Sequence, residues 1–396
     1  MSKSLTHRQF LQHVAQTSDF PLMVEVTGAE GLYIYDRSGK KYLDLIAGIG
    51  VSSLGHRHPA VISAIKNQLD AHLHVMVFGE FIQTPQVALA QALSKTLPES
   101  LNCTYFVNSG SEAVEGALKL AKRYTGRANF ISCIDSYHGS THGALSASGN
   151  ESLKQNFRPL LSGFRHIPFG DLTSLDLIDS ETAAVIIETV QGEAGVQVAS
   201  KKYFEALSTK CKSAGVLLIL DEIQCGFGRT GKFWAFEHYN IKPDILLAAK
   251  GMGGGMPIGC FISSSTIMGT LKSNPILGHI TTFGGHPITA VASLATLETI
   301  LSEDLLAQVE AKATLFKTLL QHDKIKSIRN LGLLMAVEFE SYEVLKPIID
   351  RALTLGLITD WFLFCNNSMR IAPPLTITNE EINLACQILL ESIETA

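Results

Sequence analysis

Apolar residues cluster in short runs through the middle of the chain, at 105–107, 130–133, 183–187, 216–220, 245–248 and 258–262. None of these runs alternates apolar with polar residues, as a strand with one wet face would. Runs that are apolar throughout suit strands covered on both sides, and helical patterns lie between them. The pattern predicts an α/β region built on a mostly parallel sheet. Earlier, 32–35 and 41–45 flank the polar stretch 36–40 and read as a hairpin. Beyond residue 287 a long helical stretch precedes an apolar run at 333–339, then more helix and strand follow. The chain accordingly divides into an N-terminal segment 1–50, a large α/β domain 51–287 and a C-terminal segment 288–396. The two end segments are expected to join in a smaller α+β domain.

Composition fits this reading and narrows the partners. The 396 residues are 46% hydrophobic and 17% charged, which suits a large core. A mean hydropathy of +0.20 has two sources open to it, that core and apolar surface buried between subunits. Net charge is −5 with no basic block, so nucleic acid is not an expected partner. The opening MSKSLTHRQFLQHVAQ lacks the apolar centre of a secretory leader, and no apolar run nears the roughly 20 residues that span a bilayer. Seven cysteines are scattered without a C-x-x-C pair. The expectation is reduced thiols, a cytoplasmic location and no metal site.

Chemistry enters at the ends of two apolar runs. The run 217–220 ends in Asp221 and Glu222, placing a carboxylate at the carboxyl edge of a sheet, where open α/β sheets bind ligands. A helix cap or an ion pair is the ordinary alternative. The run 244–249 ends in Lys250, followed at once by Gly251-Met-Gly-Gly-Gly255. A lysine at such a strand end is costly, and burial favours its neutral, nucleophilic amine. Schiff-base chemistry needs that amine, and an acid aimed at a pyridine nitrogen keeps the ring an electron sink. Asp221 and Lys250 suit the two ends of one pyridoxal ring.

The glycine motifs need sorting. Gly226-Phe-Gly-Arg-Thr-Gly231 matches G-x-G-x-x-G, and with Lys232 it matches most of a P-loop. Phe233 stands where a magnesium-binding hydroxyl is required, and 232–239 is not a convincing helix, so both nucleotide readings fail. A better phosphate site is Asn108-Ser-Gly-Ser-Glu112, ahead of the amphipathic helix 113–123. Small residues at a helix start leave N–H groups free for an anion. Ser109 or Ser111 would cap the same helix, and the two roles are compatible. Tyr137-His138-Gly139 offers a ring to stack on a planar ligand, with ordinary core as the alternative for Tyr137.

Seven motifs now stand in order: Asn108 to Glu112, Tyr137 to Gly139, Glu188 to Glu193, Asp221 to Gln224, Gly226 to Gly231, Lys250 to Pro257 and Thr281 to Pro287. Together they resemble the class III aminotransferases, over nearly the whole chain. The resemblance implies the aspartate-aminotransferase fold (fold type I), whose large domain has a mostly parallel seven-stranded sheet. It implies pyridoxal 5'-phosphate as cofactor, with Lys250 forming the Schiff base and shuttling the proton. Asp221 would pair with the pyridinium nitrogen and Gln224 with the ring hydroxyl. Tyr137 and Ile223 would cover the two ring faces. Ser109, Gly110 and Ser111 would hold the phosphate, helped by Thr282 from a second subunit, which implies a homodimer. His138 and Glu188 complete the implied cofactor set.

Within the class the wording looks most like acetylornithine and ornithine aminotransferases, which pass a terminal amino group to 2-oxoglutarate. The resemblance assigns Arg370 to the acceptor's α-carboxylate and Glu193 to masking that arginine while the ω-amine is bound; arginine suits the task because its guanidinium pairs bidentately. One departure bears on the donor. Ser140 stands where those enzymes usually carry an arginine that grips the donor's far carboxylate, and His286 replaces a usual asparagine. Either another arginine (Arg57, Arg158 or Arg165) takes that carboxylate, or the donor lacks one there. The serine form looks more like amine and ω-amino-acid:pyruvate enzymes. A decarboxylase or an aminomutase of the same fold, and a silent cofactor-binding protein, are the further alternatives.

Overall fold

The structure is a computed structural model and describes residues 4–396; the first three residues of the opening stretch considered above lie outside it. Its centre is a sheet buried on both faces. In the strand Leu217–Asp221, Leu218 and Leu220 join one apolar cluster while Leu217 and Ile219 join another. Thr182–Glu188 divides the same way, with Val185 and Ile187 on one side and Ala184 and Ile186 on the other. Neither face meets water, which is why these runs carry no alternation.

The sheet has seven strands, in the order Cys103–Val107, Gly259–Ser263, Ile245–Ala248, Leu217–Asp221, Thr182–Glu188, Asn129–Cys133 and Phe164–Ile167. The last five named pair in parallel with one another. Gly259–Ser263 runs antiparallel to both Cys103–Val107 and Ile245–Ala248, so those two point the same way. The carboxyl ends of six strands therefore share one edge. That edge carries the chemistry.

The helix Gly110–Thr125 covers one face through Ala113, Val114 and Ala117. It lies close because residue 116 is glycine: a Cβ there would sit 2.2 Å from Phe261 Cε1. At the far end of the chain, Ser327–Leu331, Leu334–Glu338, Cys365–Ile371 and Trp361–Phe362 form a second sheet. A third sheet joins the predicted hairpin, Tyr33–Asp36 with Lys41–Asp44, to Val26–Glu30 and to Leu357–Ile358. Strands from both ends of the chain thus meet in one sheet. Among the described residues no helix is long and apolar enough to cross a membrane, and no cluster of His, Cys, Asp or Glu is placed to hold a metal.

Candidate active site

At the carboxyl edge the chain leaves the sheet four times within a small space. Glu188 and Asp221 are the last residues of adjacent strands and lie side by side in register. Lys250 follows the next strand, and Asn108 follows Cys103–Val107. These ends surround a cavity of about 440 Å³, a volume typical of small-molecule sites. Its wall gathers Ser109, Gly110, Ser111, Tyr137, His138, Glu188, Glu193, Asp221, Ile223, Gln224 and Lys250 from widely separated parts of the sequence. Of the residues singled out beforehand, Arg370 and Thr282 are not in that wall.

Lys250 takes a left-handed backbone, φ 45°, as the chain turns out of the strand into Lys250–Gly253. Burial pushes its amine below the ordinary lysine range, while the charges of Glu193 and Asp221 pull the other way. Asp221 is held on both oxygens: His138 Nδ1 lies 2.7 Å from Oδ2, and the Ile223 N–H donates to Oδ1 at 3.0 Å. The His138 side chain is fully buried, so it sits behind the carboxylate and fixes its direction. Glu188 accepts from the backbone N–H of Tyr137 at 2.8 Å and of Gly192 at 3.0 Å, tying two loops to one strand end. Burial, with Asp221 alongside, raises the Glu188 carboxyl to about 7, even though His138 and both N–H groups favour its charged form.

The turn 108–112 opens the 16-residue helix Gly110–Thr125, and Ser109 Oγ caps it by accepting from Glu112 N at 3.2 Å. This cap leaves the helix start able to take an anion as well, because the other N–H groups of the first turn have no intrahelical partner. Ile223 leans over this turn, close enough that a Cβ on Gly110 would meet it at 3.0 Å. From the other side Ser140 N donates to Ser111 Oγ at 3.3 Å, and Gly139, φ +130°, leaves no room for a side chain.

Arg370 comes from Cys365–Ile371 and meets Glu193 head-on, Nη1 to Oε1 and Nη2 to Oε2, both 2.9 Å. Asp360 Oδ1 takes Nε at 2.9 Å. The pair is buried on both sides, 3% and 5% exposed. Burial alone would raise the Glu193 carboxyl, but the Arg370 charge and hydrogen bonds outweigh it and bring it down to about 2. Gln224 Nε2 also donates to Glu193, at 3.1 Å.

A family model, aminotransferase class-III, matches residues 14–393, nearly the whole described chain. The chain belongs to the class III aminotransferases. It is 38% identical over 387 residues to the acetylornithine aminotransferase of Methanopyrus kandleri, covering 97% of each chain. An ornithine aminotransferase structure from Toxoplasma gondii, described with partial occupancy of pyridoxal phosphate at its active site, superposes with a TM-score of 0.89. It is 30% identical, with 98% of this chain and 93% of that one covered. An amine transaminase from an uncultivated Pseudomonas species, in its pyridoxal-phosphate-bound form, gives a TM-score of 0.88 at 27% identity over 96% and 97% of the two chains.

Aminotransferases of this class depend on pyridoxal phosphate, and the cavity of this one fits it. A buried carboxylate, an amine with a lowered pKa and a small-residue helix start line one space, with Tyr137 and Ile223 in its wall. A carboxylate to accept from a ring N–H, a nucleophilic amine and a helix start free to bind an anion are what a phosphorylated pyridine aldehyde needs.

The arginines left unplaced by sequence are not in this aminotransferase's cavity wall. Arg158 pairs with Glu151, Arg165 pairs with Asp179, and Arg57 is exposed. Ser140 lies outside the wall too, its hydroxyl 3.3 Å from the Tyr137 hydroxyl. Sequence reasoning missed Asp360, whose only signal was an acid ten residues before Arg370, and the side chain of Asn108, which also lines the cavity.

Proposed function

We propose that this aminotransferase moves an ω-amino group from an acetylornithine- or ornithine-like donor to 2-oxoglutarate, with Lys250 as the Schiff-base residue. The observation that carries the proposal is the buried Arg370–Glu193 pair beside the Lys250 cavity. Such a pair lets one site take two kinds of substrate. With Glu193 in place the guanidinium is neutralised, and a donor can enter by its terminal-amine end, whose carbon bears no carboxylate. Once Glu193 turns aside, Arg370 offers two parallel N–H groups to the α-carboxylate of an oxo acid. Bound pyridoxal phosphate supplies the electron sink for the carbon that bears the amino group. Lys250 Nζ, with its basicity lowered by burial, would take the proton from that carbon and return it. Asp221, braced by His138, holds the proton on the ring nitrogen.

A second reading has its own observation. Lys250 is the only lysine or arginine in the cavity wall among the described residues. A donor with no second carboxylate, such as a simple amine or ω-amino acid with pyruvate as acceptor, suits that wall. A screen of acetylornithine, ornithine, lysine, 4-aminobutyrate and diamines, each against 2-oxoglutarate and pyruvate, decides between them. Conversion of simple amines with pyruvate alone would overturn the first reading.

We also infer a homodimer in which Thr282 completes the neighbouring phosphate site. Thr282 is exposed among Ile276, Ile280 and Phe283, themselves 75%, 49% and 54% exposed. His74 stacks against His286 and tilts onto Phe283, and Phe81 and Ile82, a few residues after His74, are exposed as well. An apolar face of this kind is what a second copy would cover.

A further inference from the structure

The side-chain amide of Asn108 has two N–H groups, and each is spent on a different structure. One bond goes to Glu112 Oε2 at 2.9 Å, and that same oxygen accepts Asn108's own backbone N–H at 2.9 Å. These bonds lock Asn108 to the first turn of Gly110–Thr125, the turn that forms the phosphate cradle of its own cavity. The other bond goes to Thr281 Oγ1 at 3.0 Å, across 173 residues of sequence. Thr281 precedes Thr282, the residue read above as serving the other subunit.

The packing around this bond leaves the Thr281 turn little freedom of its own. A Cβ on Gly284 would lie 2.4 Å from Phe106 O, so the turn rests directly on the end of Cys103–Val107. Gln86 Nε2 donates to Gly285 O at 2.8 Å and Tyr105 OH to His279 O at 2.7 Å, pinning both flanks. Between those pins, the Asn108 amide is the link that reaches the cradle. From this juxtaposition we propose that Asn108 is a positioning residue acting in trans. Through Thr281 it sets the place of Thr282 in the partner's phosphate site, while through Glu112 it shapes the cradle of its own. Cofactor retention at one site of the dimer then depends on an asparagine that lines the other. The proposal rests on the homodimer reading with Thr282 crossing between subunits.

Hybrid dimers purified through two affinity tags test it. One subunit is silenced by Lys250→Ala; the other is live, and loss of its Lys250-bound cofactor is followed by absorbance after dilution into a pyridoxal-phosphate trap. Asn108→Ala on the silent subunit alone is expected to speed cofactor loss from the live site on the order of five- to tenfold, the scale of one net hydrogen bond. Thr281→Val on the silent subunit, which leaves the Asn108–Glu112 bonds in place, should do the same, and Thr281→Ser should restore the wild-type rate. A live site that keeps its cofactor at the wild-type rate in both hybrids, while Thr282→Ala on the silent subunit releases it, overturns the proposal and leaves the dimer reading standing. If Thr282→Ala in trans also changes nothing, the crossing of Thr282 is wrong and the proposal falls with it.

Discussion

Arg370 and Glu193 face each other across two 2.9 Å bonds, one from each terminal nitrogen to each carboxylate oxygen, beside the cavity that holds Lys250. Under the proposed function, Arg370→Ala removes the guanidinium that would receive an oxo acid's carboxylate once Glu193 moves. The acceptor half-reaction should fall on the order of hundredfold or more, the cost of losing a bidentate charge-assisted contact. Reduction of the cofactor by the amino donor should change only a few-fold. Single-turnover absorbance traces for each half-reaction measure this, and equal losses in both would sink the account.

The same pair has a pH signature. Glu193 ionises at about 2 when folded against an ordinary value of 4.5, so its folded form holds fewer protons than the unfolded chain between those values. The stabilisation from the pair is fully present above about pH 4.5 and is lost as the pH falls through about 2. Unfolding by urea should show a wild-type advantage over Glu193→Gln that is level from pH 7 to pH 5 and shrinks by pH 3. An advantage that grows on acidification contradicts the assignment.

How much of this was legible beforehand follows from burial. The strands that could be read, such as Leu217–Asp221 and Thr182–Glu188, are apolar because both faces are covered. Phe164–Ile167 escaped because it is an edge strand, with Arg165 and His166 in it and one neighbour only. Ser327–Leu331 escaped for the same reason. The antiparallel sense of Gly259–Ser263 leaves no trace in composition, since a strand buried on both faces looks alike in either direction. In the site, Lys250 and Asp221 were legible because a charge at the end of an apolar run is conspicuous. His138, by contrast, gave no sign that its Nδ1 turns to Asp221, and Asp360 gave none that it holds Arg370 Nε. Those are contacts between polar groups far apart in sequence or on separate turns, and pattern alone carries no distance.

Gly139 is constrained by shape rather than charge. Its φ of +130° disfavours any side chain, and a Cβ would lie 2.1 Å from Ser111 Oγ and 3.1 Å from Ser111 Cα. Gly139→Ala should therefore push the cradle turn out of place and weaken cofactor retention about tenfold or more, since positioning errors of this order at a site are costly. Because the clash is confined to the cavity wall, the melting temperature of the cofactor-free protein should fall far less than retention does. Titration with pyridoxal phosphate beside a thermal melt separates the two, and an unchanged dissociation constant would refute it.

Arg229 is 1% exposed, yet it has no acid partner among the described residues. Its Nη1 donates to the carbonyls of Leu333 and Pro373, and its own carbonyl accepts from Leu333 N at 3.0 Å. It therefore bolts the glycine-rich loop after Gln224 to the segment that follows Arg370. Burial lowers its guanidinium to about 10, which still leaves it charged at neutral pH. Arg229→Met keeps the apolar stem but leaves two buried carbonyls unpaired, at about 1–3 kcal/mol each. Chemical denaturation should show a loss of roughly 2–4 kcal/mol, less than the full sum because removing a buried charge gives some of it back. Arg229→Lys, with one ammonium able to reach one carbonyl, should fall between. The loosened segment begins just after Arg370, so under the proposed function the Michaelis constant for the oxo acid should rise in Arg229→Lys while the rate of cofactor reduction by the donor stays within a few-fold of wild type. If both variants unfold at the wild-type denaturant concentration, the carbonyl contacts contribute nothing, and Arg229 needs a different explanation.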